Sequence, residues 1–240
     1  MRDKIYQNPY KQIKPFSFSP IVAKVFDDML NRSIPFYKEV LSLSAGFAKE
    51  ANYKNPVIYD LGCSTGNFLN VLKKSMGESP FAYTGIDSSE PMIHKAQKKK
   101  RKLSPSQKYD FYVSDILDFK YRAANMFIIN YVLQFIEKDQ RKIFLSNLYQ
   151  TLKPKGFLIL SEKITNTEPF FSNAYSKEYY NFKIKNNYSD IEIKQKDRAL
   201  KDFLQPLTVE ENILLLEESG FTKISVFFKW CNFVSILAVK

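Results

Sequence analysis

Residues 59 to 68 read YDLGCSTGNF, and two chemistries compete for them. Gly62-Cys63-Ser64-Thr65-Gly66 satisfies G-x-S-x-G, the nucleophile elbow of serine hydrolases. With Asp60 in front, the same residues satisfy D-x-G-x-x-x-G, a glycine turn where a ligand can lie against backbone because no Cβ holds it off. The two readings imply different folds. An elbow follows several strands and needs a histidine late in the chain, whereas a nucleotide turn follows the first strand of a doubly wound sheet.

The neighbouring sequence decides between them. PVIYDL is a short β-rich run into the turn, and a helical pattern carrying Phe68, Leu69 and Leu72 leaves it. The chain has one histidine, His94, in the helix of the next βα unit, where it reads as a surface residue. No imidazole follows downstream, so the hydrolase reading fails. The second strand, FAYTGID at 81–87, ends at Asp87, 25 residues past Gly62. Dinucleotide folds place the acid that takes the ribose hydroxyls near that spacing. The turn lacks a full G-x-G-x-x-G and a P-loop lysine, so a ligand without phosphates fits better, its carboxylate at the helix N-terminus.

Alternation of strands and helices continues outward from this unit. YDFYVSD at 109–115, a strand within NMFIINYVLQFI at 125–136, and PKGFLILSEKI at 154–164 follow in turn. TKISVFFKW and NFVSILAVK stand so close together that they must pair as a hairpin. The expected fold class is α/β of the class I methyltransferase type (Rossmann-like). Its sheet is seven-stranded and mostly parallel, with a C-terminal antiparallel hairpin and a helical insertion. Residues 1–240 are expected to form a single SAM-binding domain, with an N-terminal helical cap at about 17–50 and the insertion at about 165–206. Ser19-Pro20 marks the start of the first cap helix.

Composition narrows the class further. A net charge of +11 suggests nucleic acid, yet only six of the 36 basic residues are Arg, the residue that forks onto bases and phosphates. The run QKKKRK at 97–102 reads as the solvated end of a helix. No apolar stretch suits a signal peptide or a membrane span, and no metal is expected. Two cysteines, Cys63 and Cys231, suggest a reducing compartment, hence a cytoplasmic protein.

The next two strand ends complete the ligand reading. Asp115 is placed to accept from an adenine amino group, with Ile116 beside it, and Asn130 points into the same crevice by the switch-point rule. With Gly62 and Asp87 these make an S-adenosylmethionine (SAM) site.

Six stretches go beyond a general SAM fold: VAKVFDDMLNRSIPFY (22–37), YDLGCSTGN (59–67), GIDSSEPMI (85–93), NYVLQF (130–135), LSEKI (160–164) and FKWCNF (228–233). In this order they resemble the carboxy-S-adenosyl-L-methionine synthase family. The resemblance implies transfer of the carboxylate of prephenate to the SAM methyl carbon through a sulfonium ylide, with release of phenylpyruvate and formation of carboxy-SAM. It also implies a homodimer, and a partner carboxymethyltransferase that uses the product on tRNA wobble uridine. This chain then need not touch nucleic acid itself. Carried over by position, the SAM contacts are Tyr37, Gly62, Cys63, Ser64, Asp87, Ser88, Asp115, Ile116 and Asn130. Ser64 becomes a residue that holds the ligand rather than attacks it.

One position departs from the family. An Arg that pairs with the added carboxylate is expected in the insertion, but the text is KQKDRALKDF, which puts Asp197 in its place and Arg198 one residue late. Arg198 is nevertheless the expected carboxylate-holding residue, with Lys194 or Lys196 as substitutes. If none serves, a plain SAM-dependent methyltransferase acting on a small molecule or tRNA is the alternative.

Overall fold

A computed structural model describes residues 1–100, 107–201 and 203–240, and only the backbone of Lys100. Its seven strands are β1 Val57–Leu61, β2 Ala82–Asp87, β3 Lys108–Val113, β4 Ala124–Asn130, β5 Leu152–Lys163, β6 Lys223–Trp230 and β7 Phe233–Val239. They form one sheet in the order β3-β2-β1-β4-β5-β7-β6. The first five run parallel, and β7 is antiparallel to both β5 and β6. This is the class I methyltransferase arrangement that the sequence pattern predicts. The order reverses direction beside β1, so the crevice at the carboxyl ends of β1 and β4 is where a ligand is expected.

Side-chain alternation explains how the sheet is buried. Tyr59, Leu61, Phe127, Ile129, Leu158 and Leu160 pack into one core, and the intervening Ile58, Met126, Ile128, Phe157 and Ile159 into another. A period of two sends neighbours to opposite faces, so these runs are buried on both sides, as parallel strands require. Helices α1 Pro20–Ser33, α2 Tyr37–Glu50, α3 Asn67–Met76, α4 Glu90–Lys100, α5 Lys138–Thr151, α6 Pro169–Lys185, α7 Asp190–Leu200 and α8 Val209–Glu218, with a short 3-10 helix at Leu133–Phe135, complete the described elements. Leu41 and Ala45 of α2 and Phe68, Leu69 and Leu72 of α3 join the second core, while Phe144, Leu145 and Leu148 of α5 and Leu216 of α8 join the first. A third cluster binds the cap, joining Val22, Val25, Phe26 and Met29 of α1 to Met92 of α4 and Ala199 of α7.

Local signals set the element ends. Ser19 accepts the Val22 N–H at the start of α1, with Pro20 in the first turn. Capping boxes at Ser189 and Thr208 open α7 and α8. Strand β5 begins at Leu152, two residues before the stretch the pattern marks, because Leu152 pairs with Ala124 across an irregularity between Ala124 and Met126. The basic run at 97–102 begins in the last turn of α4, and its residues 101 and 102 lie outside the described residues. The first residues, silent in the sequence pattern, dock on α7. The Tyr10 N–H donates to Gln195 Oε1 at 2.7 Å and the Phe16 N–H to the Ala199 carbonyl at 3.0 Å. No described helix is long and apolar enough to cross a membrane.

Candidate active site

The glycine turn leaves β1 with backbone that other residues resist. Gly62 and Gly66 have φ of +70° and +71°, and a Cβ on Gly62 would lie 2.3 Å from Val132 Cγ2. Ser64 shares the left-handed region, at φ +52°. The turn is held to β2 from beneath: the Gly62 and Cys63 N–H groups both donate to the Ile86 carbonyl, at 2.8 and 2.9 Å. The Ser64 N–H donates to Asp87 Oδ2 at 2.8 Å, and the Gly66 N–H to the Cys63 carbonyl at 2.9 Å. These amides are engaged inside the turn, so the loop offers a ligand its shape more than its donors.

The Ser64 hydroxyl points to the Met92 sulfur at 3.7 Å, and His94 lies exposed on α4. Among the described residues no base bonds to the Ser64 hydroxyl.

A cavity of about 790 Å³ opens above this turn. Tyr37, Gly62, Cys63, Ser64, Asp87, Ser88, Asp115, Ile116 and Asn130 all line it. The structure therefore brings together the nine residues that the family resemblance assigns to SAM. Asp87 accepts the Ser89 N–H on its other oxygen at 2.8 Å, and burial pushes its carboxyl up against the pull of these backbone bonds. Asp60, beneath the turn, accepts the Tyr83 hydroxyl at 2.6 Å, and burial raises it to about 7. An exposed Asp115 accepts the Leu117 N–H at 2.9 Å, which fixes the loop after β3.

Arg198 falls elsewhere. It is exposed and does not line the cavity, whereas Asp197 and Lys196, one and two residues earlier, do. Each residue along a helix turns about 100°, so a one-residue offset moves Arg198 to the solvent side of α7. Asp197 is held by Lys183 at 3.0 Å. Lys194 is exposed and pairs with Asp190 at 2.8 Å. Of the substitutes named from sequence, Lys196 alone reaches the cavity; its ammonium donates to Ser33 Oγ at 3.0 Å, and burial pushes it down to about 8.

The sequence pattern also missed residues that the fold adds to the wall. Lys163 and Lys183 line it from the end of β5 and from α6, so lysines share the cavity wall with the acidic groups at the ends of β1, β2 and β3. Three buried side-chain atoms lack a partner among the described residues: Asn130 Oδ1, Tyr131 Oη and Asn232 Oδ1. All three residues line the cavity. Buried polar groups are normally paired, so their convergence marks a surface made to receive a polar ligand. An acidic floor suits the sulfonium, ammonium and ribose hydroxyls of SAM, and the residues present fit it. The signal available in sequence was the position of Lys163 in LSEKI and of Asn232 in FKWCNF.

Residues 58–156 match the model of a methyltransferase domain family. The carboxy-S-adenosyl-L-methionine synthase of Wolinella succinogenes is 40% identical to this chain, with 100% of the chain and 99% of the relative covered. Its counterpart in Desulfotalea psychrophila is 39% identical over 100% of this chain and 97% of the relative. Among solved structures, the plantazolicin methyltransferase BpumL in complex with SAH superposes with a TM-score of 0.65 at 17% identity, over 90% of this chain and 89% of that one. Human N-acetylserotonin methyltransferase in complex with SAM gives 0.62 at 17% identity, over 92% and 55%. The last two similarities show the shared fold.

Proposed function

The chain belongs to the carboxy-S-adenosyl-L-methionine synthase family, with SAM as substrate, and from that membership we propose prephenate as its carboxyl donor. The products are carboxy-SAM and phenylpyruvate. The balance closes when a methyl proton of SAM and the ring hydroxyl of prephenate leave as water while the ring becomes aromatic.

The observation that carries this reading is the basic wall. Transfer of a methyl group to a neutral acceptor needs no cations facing the adenosyl site, whereas a dianionic donor and a carboxylated product do. Lys163, Lys183, Lys196 and Lys201 line the cavity, together with the carboxylates of Glu137 and Asp197. In this reading Asp87 takes the ribose hydroxyls, Asp115 and Ile116 the adenine edge, and Asn130 the methionine end. Tyr37 closes the cavity from the cap, where burial pushes its hydroxyl up and keeps it protonated. A water-excluded cavity protects a reacting carbon from quenching by solvent.

By the same family reading the protein is cytoplasmic and a homodimer, its whole chain one SAM-binding unit. Its product passes to an enzyme that carboxymethylates tRNA wobble uridine. A mass spectrum of the small molecule that copurifies with the protein tests the assignment. Carboxy-SAM is expected. SAM or its demethylated product alone would favour a methyltransferase acting on a small molecule or tRNA.

A further inference from the structure

The lysine wall is not uniform. Lys183 holds Asp197 and Lys196 donates to Ser33, but the Lys163 ammonium has no hydrogen bond or ion pair among the described residues. Its contact is the face of Tyr179, 5.3 Å from the ring centroid. Burial lowers its pKa, opposed by Asp197 and aided by Lys183. A half-buried ammonium that lines a cavity with no directly bonded partner is placed to meet an anion.

Two unpartnered groups stand at the same sheet end. The Tyr131 N–H donates to the Ser161 carbonyl at 2.6 Å, which fixes Tyr131 just past β4 and beside β5. Lys163 pairs across the antiparallel ladder with Phe233, so Asn232 occupies the next position toward the cavity. Both residues are placed by backbone that L side chains disfavour: Tyr131 has φ +61° and Cys231, in the β6–β7 turn, φ +43°. Strain of this kind persists where surrounding structure enforces it, commonly at functional sites. Here it accompanies a buried hydroxyl and a buried amide oxygen that have no hydrogen-bond partner among the described residues.

We propose that Lys163, Tyr131 and Asn232 form a carboxylate subsite at the strand ends of β4, β5 and β7. The ammonium and the phenol donate to the carboxylate, and the Asn232 amide, turned over, adds its NH₂. The subsite takes over the role expected of an Arg in the insertion, with a compact point charge in place of a planar fork. For its ligand it rests on the proposed reaction, in which a carboxylate arrives on the donor and leaves on the adenosyl product.

The test is calorimetric titration of wild type, Lys163→Met, Lys163→Arg and Tyr131→Phe with SAM, carboxy-SAM and prephenate. Lys163→Met should keep its SAM affinity while losing about tenfold or more toward a carboxylate ligand, the range of a charged hydrogen bond. Loss toward carboxy-SAM places the product's carboxylate in the subsite, and loss toward prephenate places the donor's there. Lys163→Arg should recover most of that affinity. Tyr131→Phe should weaken the same ligand severalfold with an unchanged or raised melting temperature, because it removes a buried hydroxyl that has no partner. This variant also decides the matter if Lys163→Met fails to fold. Equal binding of all ligands by every variant, or parallel loss of SAM affinity and melting temperature, would overturn the subsite. The titrations need no turnover: should wild type form no carboxy-SAM while binding still splits as stated, the proposed reaction fails and the subsite stands.

Discussion

At the scale of single residues, the glycine turn separates holding from attacking. Asp87 accepts two backbone N–H groups, from Ser64 and Ser89, and lines the cavity. Asp87→Asn keeps one carbonyl oxygen for the turn but loses the charge that strengthens bonds to ribose hydroxyls. Charge-assisted hydrogen bonds are worth about 1.5–3 kcal/mol, so SAM affinity should fall about tenfold or more, with a lowered melting temperature because the amide NH₂ cannot accept the second backbone N–H. Calorimetry showing wild-type affinity would remove Asp87 from the site. Ser64→Ala, in the same experiment, should be mild and leave turnover standing, since the hydroxyl meets only a thioether. Loss of all turnover with SAM binding retained would restore a covalent role. Arg198 marks where residue-scale reading stops. Its identity is plain in the text, but its direction depends on helix phase, which one inserted or shifted position turns by about 100°.

At the scale of elements, the cap is locked to the turn through Asp27 of α1. Its carboxylate accepts Thr65 Oγ1 at 2.5 Å and Asn67 Nδ2 at 3.1 Å, and pairs with Lys95 at 2.9 Å and Lys99 at 3.2 Å. Burial alone would raise this carboxyl. The Thr65 hydrogen bond and the two lysines outweigh it and hold the group at about 2. An unfolded aspartate titrates at about 3.9, so the folded value is depressed, and the lock contributes stability above that pH and loses it as pH falls toward 2. Asp27→Asn should therefore be less stable than wild type in denaturant at neutral pH, with the gap narrowing below about pH 4. A gap that does not change with pH would show that the charge contributes nothing. Glu162 has a comparable role on the other side of the crevice. It accepts the N–H groups of Val132, Leu133 and Gln134 at 3.1, 2.9 and 3.0 Å, shaping the segment after β4 that walls the cavity. The strand ends that carry Asp60, Asp87, Asp115 and Asn130 are legible in sequence because each lies at the end of a local apolar run. The group of Tyr131, Lys163 and Asn232 is not. Those residues come from strands apart in the chain and meet only through the β4–β5 and β5–β7 registers.

At the scale of the whole molecule, the mostly parallel sheet was readable from alternation, and its closing hairpin from the short Cys231-centred turn, which leaves β6 and β7 no choice but to pair. The insertion was visible as a break in rhythm, but its function was not. It supplies α6 and α7, which bring Lys183 and Lys196 over the crevice, and it is pinned from outside by the first residues of the chain through Gln195. In the proposed reading the acidic strand ends serve the sulfonium nucleotide and the lysines around the cavity serve an anion. That polarity is what the synthase reading requires and what a neutral methyl acceptor would not. The most direct measurement is incubation of the purified protein with SAM and prephenate, followed by mass spectrometry of the small molecules. Carboxy-SAM and phenylpyruvate should appear together in equal amounts. Unchanged SAM with no phenylpyruvate would contradict the account.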